Sequence, residues 1–299
     1  MPNTYSFAGG RFGFLVEGST FLGVVRSVSG GNIRGEVAVR QTRAGQKKRI
    51  RNVICEPFTI DVGIGMSQEF YDWIEASFDR GYITKNGELV AYDLDDNVMS
   101  IREFQDAHIS EVTMPALDGS SKDPAYMTVK FNPEKIHYKN STRLPIQVDV
   151  GPATKKWLPS NFRVELGDLP CDRVAKIDSF TWKQAINKDR SGVTRRAKKY
   201  ASVVEVPDLK LTVSMADFGP WEQWYRSFIV GGNHDAVLNG SISLLGQDIK
   251  DELARIDLQN VGIISLNTAK QEANKEKVAR FEVELYVEQM TFSYQKPDA

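Results

Sequence analysis

The stretch Phe58 to Phe78, FTIDVGIGMSQEFYDWIEASF, has a counterpart 151 residues further on, Leu209 to Ile229, LKLTVSMADFGPWEQWYRSFI. The two align without a gap. Phe58, Ile60, Val62 and Ile64 fall on Leu209, Leu211, Val213 and Met215, so each copy reads as a strand that buries alternate residues. Phe70, Trp73, Ile74 and Phe78 then fall on Trp221, Trp224, Tyr225 and Ile229, the spacing of one helical stripe. A change of hydrophobic period from two to 3.6 at the same point in both copies marks an internal repeat.

Further blocks obey nearly the same displacement. RFGFLVEG from Arg11 resembles NFRVELGD from Asn161 at an offset of 150, Gly87 pairs with Gly240 at 153, and Phe104 with Leu258 at 154. Met127, Val129 and Phe131 meet Phe281, Val283 and Leu285 at 154, and Glu134 meets Glu288. A drift of this size is what a few loop insertions produce. The chain therefore reads as two copies of a unit of about 150 residues, a common domain size. The expected division is a first unit over residues 1–140, a linker over 141–160 with Pro145, Gly151, Pro152 and Pro159, and a second unit over 161–299. Trp157 is expected to anchor the linker.

In each unit strands precede one helix and strands follow it. That order predicts a mainly β fold of α+β type, two tandem antiparallel barrels or sandwiches each with one packed helix, and not an alternating βαβ sheet. Phe12, Phe14 and Val16 begin the first sheet, Phe21 to Val28 pairs across the Gly18 turn, and Val37 and Val39 are expected to continue that sheet into a long hairpin. The hairpin tip carries Arg40, Arg43, Lys47, Lys48, Arg49 and Arg51 around Gly45 without an acid. Its counterpart, KDRSGVTRRAKKY, carries Lys188, Arg190, Arg195, Arg196, Lys198 and Lys199 with only Asp189 opposing. The closing strand alternates Phe281, Val283, Leu285 and Val287 with Glu282, Glu284, Tyr286 and Glu288, which predicts one apolar and one acidic face.

With 38 Lys and Arg against 39 Asp and Glu, the net charge of −1 gives no overall pull toward nucleic acid or membrane, so charge acts locally. Cys55 and Cys171 sit at non-equivalent places in the two copies and form no disulfide framework. No secretory signal pattern and no transmembrane run is read from the sequence.

Patterns that resemble catalytic or ligand motifs fail on inspection. DVGIGMS places Gly63 and Gly65 after a strand like a phosphate-binding turn, yet the second copy has VSMADFGP there. DLDDN has calcium-loop spacing, but Val98 stands where the loop needs glycine and Phe104 where it needs glutamate. His108, His137 and His234 lack partners at ligand spacing, and no nucleophile elbow or acid–base carboxylate pair stands out. We expect no enzyme, no cofactor and no metal.

The opening strand of FxFxVEG type, the basic hairpin, the strand running into EFYDWI and the closing VxFxxExIxY strand together resemble the tube proteins of contractile phage tails, whose relatives form inner tubes of extracellular contractile injection systems and of type VI secretion. The resemblance spans nearly the whole chain, once per repeat, and the second copy of the helix motif has degenerated to WEQWY. It implies six barrels around a channel and a long hairpin reaching a neighbouring unit or ring. Since family members carry one unit per chain and this chain carries two, it implies a trimer with pseudo-six-fold symmetry or a hexamer, serving as inner tube or as tube-to-baseplate adaptor. Implied partners are other copies of the chain, sheath, tube and baseplate hub proteins, and a nucleic acid or protein cargo, with no membrane. Implied location is a virion tail or injection particle assembled in the bacterial cytoplasm. Arg43, Lys47, Lys48, Arg49, Arg195, Arg196 and Lys198 are then expected at subunit or ring contacts, and Glu282, Glu284 and Glu288 on the channel face. The alternative reading is a nucleic-acid-binding module using the basic hairpins, whose binding would fall steeply with salt.

Overall fold

The computed structural model describes residues 10–19, 21–139, 157–189, 197–268 and 279–295. In the first repeat the order is β1 (Arg11–Val16), β2 (Gly23–Gly30), β3 (Ile33–Thr42), β4 (Gly45–Cys55), β5 (Phe58–Val62), α1 (Gln68–Phe78), β6 (Lys85–Tyr92), β7 (Val98–Met114), β8 (Leu117–Asp118), β9 (Met127–Asn132) and β10 (Lys135–Lys139). In the second it is β11 (Phe162–Leu166), β12 (Val174–Ile177), β13 (Phe180–Asp189), β14 (Lys198–Glu205), β15 (Leu209–Ser214), a 3-10 turn (Met215–Asp217), α2 (Phe218–Tyr225), a π turn (Arg226–Val230), β16 (Leu238–Leu245), β17 (Glu252–Thr268) and β18 (Arg280–Tyr294). Among the described residues the fold is mainly β with two α-helices, as the sequence pattern predicts.

The residues form two compact units. Unit 1 takes Met1–Val112, Thr128–Thr154 and Gln184–Val203, and unit 2 takes Thr113–Met127, Lys155–Lys183 and Val204–Ala299. Unit membership thus does not follow the repeat boundary, because each unit includes a segment encoded in the other repeat. Within unit 1, β1, β2, β5, β9, β7 and β6 pair in a closed cycle, a six-stranded barrel. Closure removes the unpaired edges that a sheet otherwise exposes. The alternation in β5 puts Phe58, Ile60 and Val62 inside, and β9 does the same with Met127, Val129 and Phe131. Helix α1 starts after Ser67, with Glu69 in its first turn where the backbone dipole favours an acid. Its stripe buries Phe70, Tyr71, Trp73, Ile74 and Phe78. Phe14 lies 5.5 Å from Phe104 in a stacked pair and 5.7 Å edge-on from Phe70, while Phe131 lies 5.1 Å from Phe58 and 5.7 Å from Trp73. Each such side chain contributes roughly 1.5–3 kcal/mol by leaving water.

Val37 and Val39 do not continue the barrel sheet. β3 and β4 pair only with each other among the described residues, as a separate two-stranded ribbon. The shift between Glu36 and Val37 leaves Arg51 as an extra residue in β4 and bends the ribbon at its base.

Unit 2 repeats the neighbour relations. The order β11, β16, β17, β18, β15, β12 matches β1, β6, β7, β9, β5, β2 strand for strand, but among the described residues β11 and β12 are not paired, so the sheet is open there, and β8 extends its β12 edge. The helical stripe differs from expectation here. Trp221 and Trp224 are buried, yet Phe228 takes the next place inside and Ile229 is exposed. Gly231 N–H donates to the Arg226 carbonyl, five residues back, and this wider closing turn resets the register of the stripe. Trp157 is buried in unit 2, and its carbonyl accepts from Ala125 N–H at 3.0 Å.

Two local devices occur in both repeats. A Cβ on Gly87 would sit 2.2 Å from the Leu15 carbonyl oxygen, and one on Gly240 would sit 2.1 Å from that of Glu165. Only glycine lets the strands approach so closely. Asp106 and Asn260 each have φ near +52°, and each N–H donates at 2.9 Å to a side-chain oxygen, of Asn86 and Asn239 respectively. The pairs of glycines, asparagines and left-handed residues fall 153 or 154 residues apart, so the repeat extends to backbone detail.

Candidate assembly surfaces

The β3–β4 ribbon sorts its side chains by strand alternation. Val37 faces Ile50 and Val39 faces Lys48 across the strands, so these four share one side, whereas Arg40 with Lys47 and Ala38 with Arg49 share the other. Val37, Val39 and Ile50 are 51%, 52% and 54% exposed. Three large aliphatic side chains thus stand half in water beside one another. Among the described residues, Arg40, Arg43, Lys47, Lys48, Arg49 and Arg51 form no ion pair. Their charge has nothing within the described structure to neutralise it.

The second hairpin shows such a ribbon in use. In unit 1, β13 lies beside β7 and β14 beside β13, which extends the barrel sheet by two strands. Lys199 on β14 is only 7% exposed. Its Nζ donates to the Pro133 carbonyl at 2.7 Å and the Cys55 carbonyl at 3.1 Å, and its backbone N–H donates to Glu134 Oε1 at 2.8 Å. Its own carbonyl is 3.1 Å from His108 Nε2. An ammonium leaves water only if such acceptors replace it. Burial still pushes the Lys199 ammonium down to about 8, and burial likewise lowers the His108 imidazole. Sequence reading placed Lys199 in the basic run but gave no sign of its burial, since neighbouring Lys198 and Tyr200 are as polar and lie exposed. Lys198 remains at the surface, and Arg195 and Arg196 lie outside the described residues.

The acidic side of β18 is observed with modifications. Glu282 and Glu288 are exposed, while Glu284 is half-buried and pairs with Lys210 on β15 at 3.2 Å. Pairing of Lys210 with Glu284 across the strands therefore breaks the acidic stripe. Glu288 accepts from the Asn260 side chain at 2.8 Å.

The motif-like stretches resolve into structure. Asp93 accepts from the backbone N–H groups of Asp95 and Asn97 and so closes a turn. The Tyr71 hydroxyl donates to the Gly63 carbonyl at 3.1 Å, which fixes the turn before α1. Cys55 and Cys171 are free and buried. Burial raises the Cys171 thiol to about 11, far from a reactive thiolate. Among the described residues no group of His, Cys, Asp and Glu has the geometry to hold a metal, and no helix is long and apolar enough to cross a membrane.

No curated protein matches the chain. Among solved structures it is similar to the tube-terminating cap of the anti-feeding prophage, at 16% identity and a TM-score of 0.43, over 51% of this chain and 100% of that one. It is similar to a chain of the PVC extracellular contractile injection system sheath–tube complex in the extended state, at 17% identity and 0.37, over 52% and 100%. A chain of the anti-feeding prophage baseplate follows at 15% and 0.34, over 49% and 97%. Residues 158–291 match the sequence family described as T4-like virus tail tube protein gp19, which spans nearly all of the second repeat. The second repeat is thus similar to the T4-like tail tube proteins.

Proposed function

We propose that this chain is a structural subunit of a contractile tail or injection machine, forming an inner tube or a tube-to-baseplate adaptor ring, and that three chains supply six barrel-like units around a channel. The observation that carries the reading is the duplicated strand order, with the second copy matching the tail tube family. Two unlike units per chain reduce a six-membered ring to true three-fold symmetry. Arg43, Lys47, Lys48, Arg49, Arg195, Arg196 and Lys198 contact neighbouring subunits or rings, and Glu282, Glu284 and Glu288 line a channel that passes nucleic acid or protein.

Light scattering with negative-stain imaging of the purified protein tests this. The expected result is a particle of three times the 33.6 kDa chain mass showing six lobes. Stacked rings favour the tube and single rings the adaptor. A monomer that persists at high concentration, with sheath and hub proteins added, overturns the reading.

A further inference from the structure

In unit 1 the long strand β7 has β9 as one neighbour and β13 as another. There His108 lies against the Lys199 carbonyl; in the end of β7 that belongs to unit 2, Thr113 Oγ1 is 2.9 Å from Thr181 Oγ1, and Ser179 Oγ donates to the Met114 carbonyl at 2.8 Å. The matching part of β17 is 154 residues on, from Gly262 to Thr268. There β17 pairs with β18 along its whole length, but its pairing with β16 stops at Val261 opposite Leu238. From Gly262 onward one edge of β17 is open among the described residues, and Ile264 on it is 39% exposed. An open edge is a template for another strand.

The ribbon that lacks a sheet is β3–β4. The displacement of 151 that lays Phe58 on Leu209 lays Lys48 on Lys199 and Ile50 on Ala201. Lys48, Ile50, Val37 and Val39 share the half-exposed apolar side of the ribbon, and on the corresponding side of β14 Lys199 is buried and Ala201 half-buried in unit 1. The seat corresponds as well. Cys55, Pro133 and Glu134, which hold Lys199, match Val206, Val287 and Glu288 in unit 2. Glu288 also supplies the negative charge that the cationic ribbon lacks.

We propose that β3–β4 of one chain adds to the open edge of β17 in a second copy of this chain, with Lys48 seated at Val206, Val287 and Glu288 as Lys199 is seated at Cys55, Pro133 and Glu134. Main-chain pairing supplies the affinity and the apolar and charged side chains set the register. Each chain then has one hairpin used internally, one offered outward and one edge to receive it. Such a contact is head-to-tail and closes into a ring when its rotation permits. The inference rests on the ring-forming role proposed above, and it moves Glu288 from the channel face to the subunit contact.

A chain carrying both Lys48→Cys and Glu288→Cys tests it, oxidised mildly and run on a non-reducing gel; the native cysteines are buried. The expected product is a covalent ladder that ends at three chains, while either single variant stops at two. Asp95→Cys in place of Glu288→Cys controls for collision and should give no ladder. A monomer band from a sample that light scattering shows to be rings overturns this contact and leaves the proposed function standing. A monomer by both methods overturns both.

Discussion

The two basic hairpins occupy the same place in their repeats and reach different ends. β13–β14 extends the sheet of unit 1 and buries Lys199 against two carbonyls and the Glu134 carboxylate, whereas among the described residues β3–β4 pairs only with itself and holds Lys48 in water. The matching residue is lysine in both. What differs is the receiving edge, and the comparison teaches that a basic run says where a ribbon projects but not whether its charge will be buried. Burial demands acceptors of fixed geometry, and those come from the barrel that receives the ribbon.

The comparison is tested most severely in the cores below the hairpins. Phe104 in the closed barrel touches Phe14, Phe58 and Phe131 at centroid distances of 5.5, 5.9 and 4.9 Å, and its counterpart Leu258 lies in the open sheet. Phe104→Ala should cost about 3–5 kcal/mol and Leu258→Ala about 2–5 kcal/mol, measured by calorimetry. A negligible loss at Phe104 would show that closure does not tighten that core.

The lysines come next in size. Lys199→Met should cost about 1–3 kcal/mol in urea unfolding, because two buried carbonyls lose their donor. Lys48→Met in dilute protein should stay within about 0.5 kcal/mol. The pH dependence sharpens the contrast. Lys199 is at about 8 in the folded chain and near the ordinary lysine value of about 10.4 when unfolded, so between those pH values the unfolded chain holds more protons. Its contribution therefore makes the protein more stable as pH rises through that window. Lys199→Met should remove the rise; a slope unchanged by the substitution would assign it elsewhere.

The smallest test asks where the repeats remain alike. Asn86→Ala and Asn239→Ala each remove the acceptor for a left-handed residue's N–H, so each should cost about 0.5–1.5 kcal/mol by thermal unfolding. Sharply unequal losses would mean that the shared geometry bears different loads in the two units.

Much of this was legible in the sequence. The period change at Phe58 and Leu209, the Gly87–Gly240 pair and the alternation of Phe281 to Val287 predicted strands, helices and duplication, because burial on one face leaves a periodic trace. The resemblance to tail tube proteins rested on the FxFxVEG strand, the basic hairpin, the strand into EFYDWI and the closing VxFxxExIxY strand, and the family match falls on residues 158–291. Three things were hidden. The π turn after Tyr225 moved Phe228 inside in place of Ile229, a choice made by backbone hydrogen bonding that side-chain spacing does not record. The opening between β11 and β12 and the free edge of β17 are long-range pairings, to which local pattern is blind. Lys199 was hidden because its seat is assembled from Cys55, His108, Pro133 and Glu134, far away along the chain.

The composition of unit 1 has a consequence for the order of synthesis. A ribosome that has released residue 140 has delivered every strand of the six-stranded barrel, but not the segment Gln184–Val203 that completes the unit. The carbonyls of Cys55 and Pro133 and the edge of β7 then wait, exposed, until more than forty further residues have been made. Domains made in sequence ordinarily finish in sequence. Here the first cannot finish before the second has begun, and a truncated product would advertise its own incompleteness as an uncovered strand.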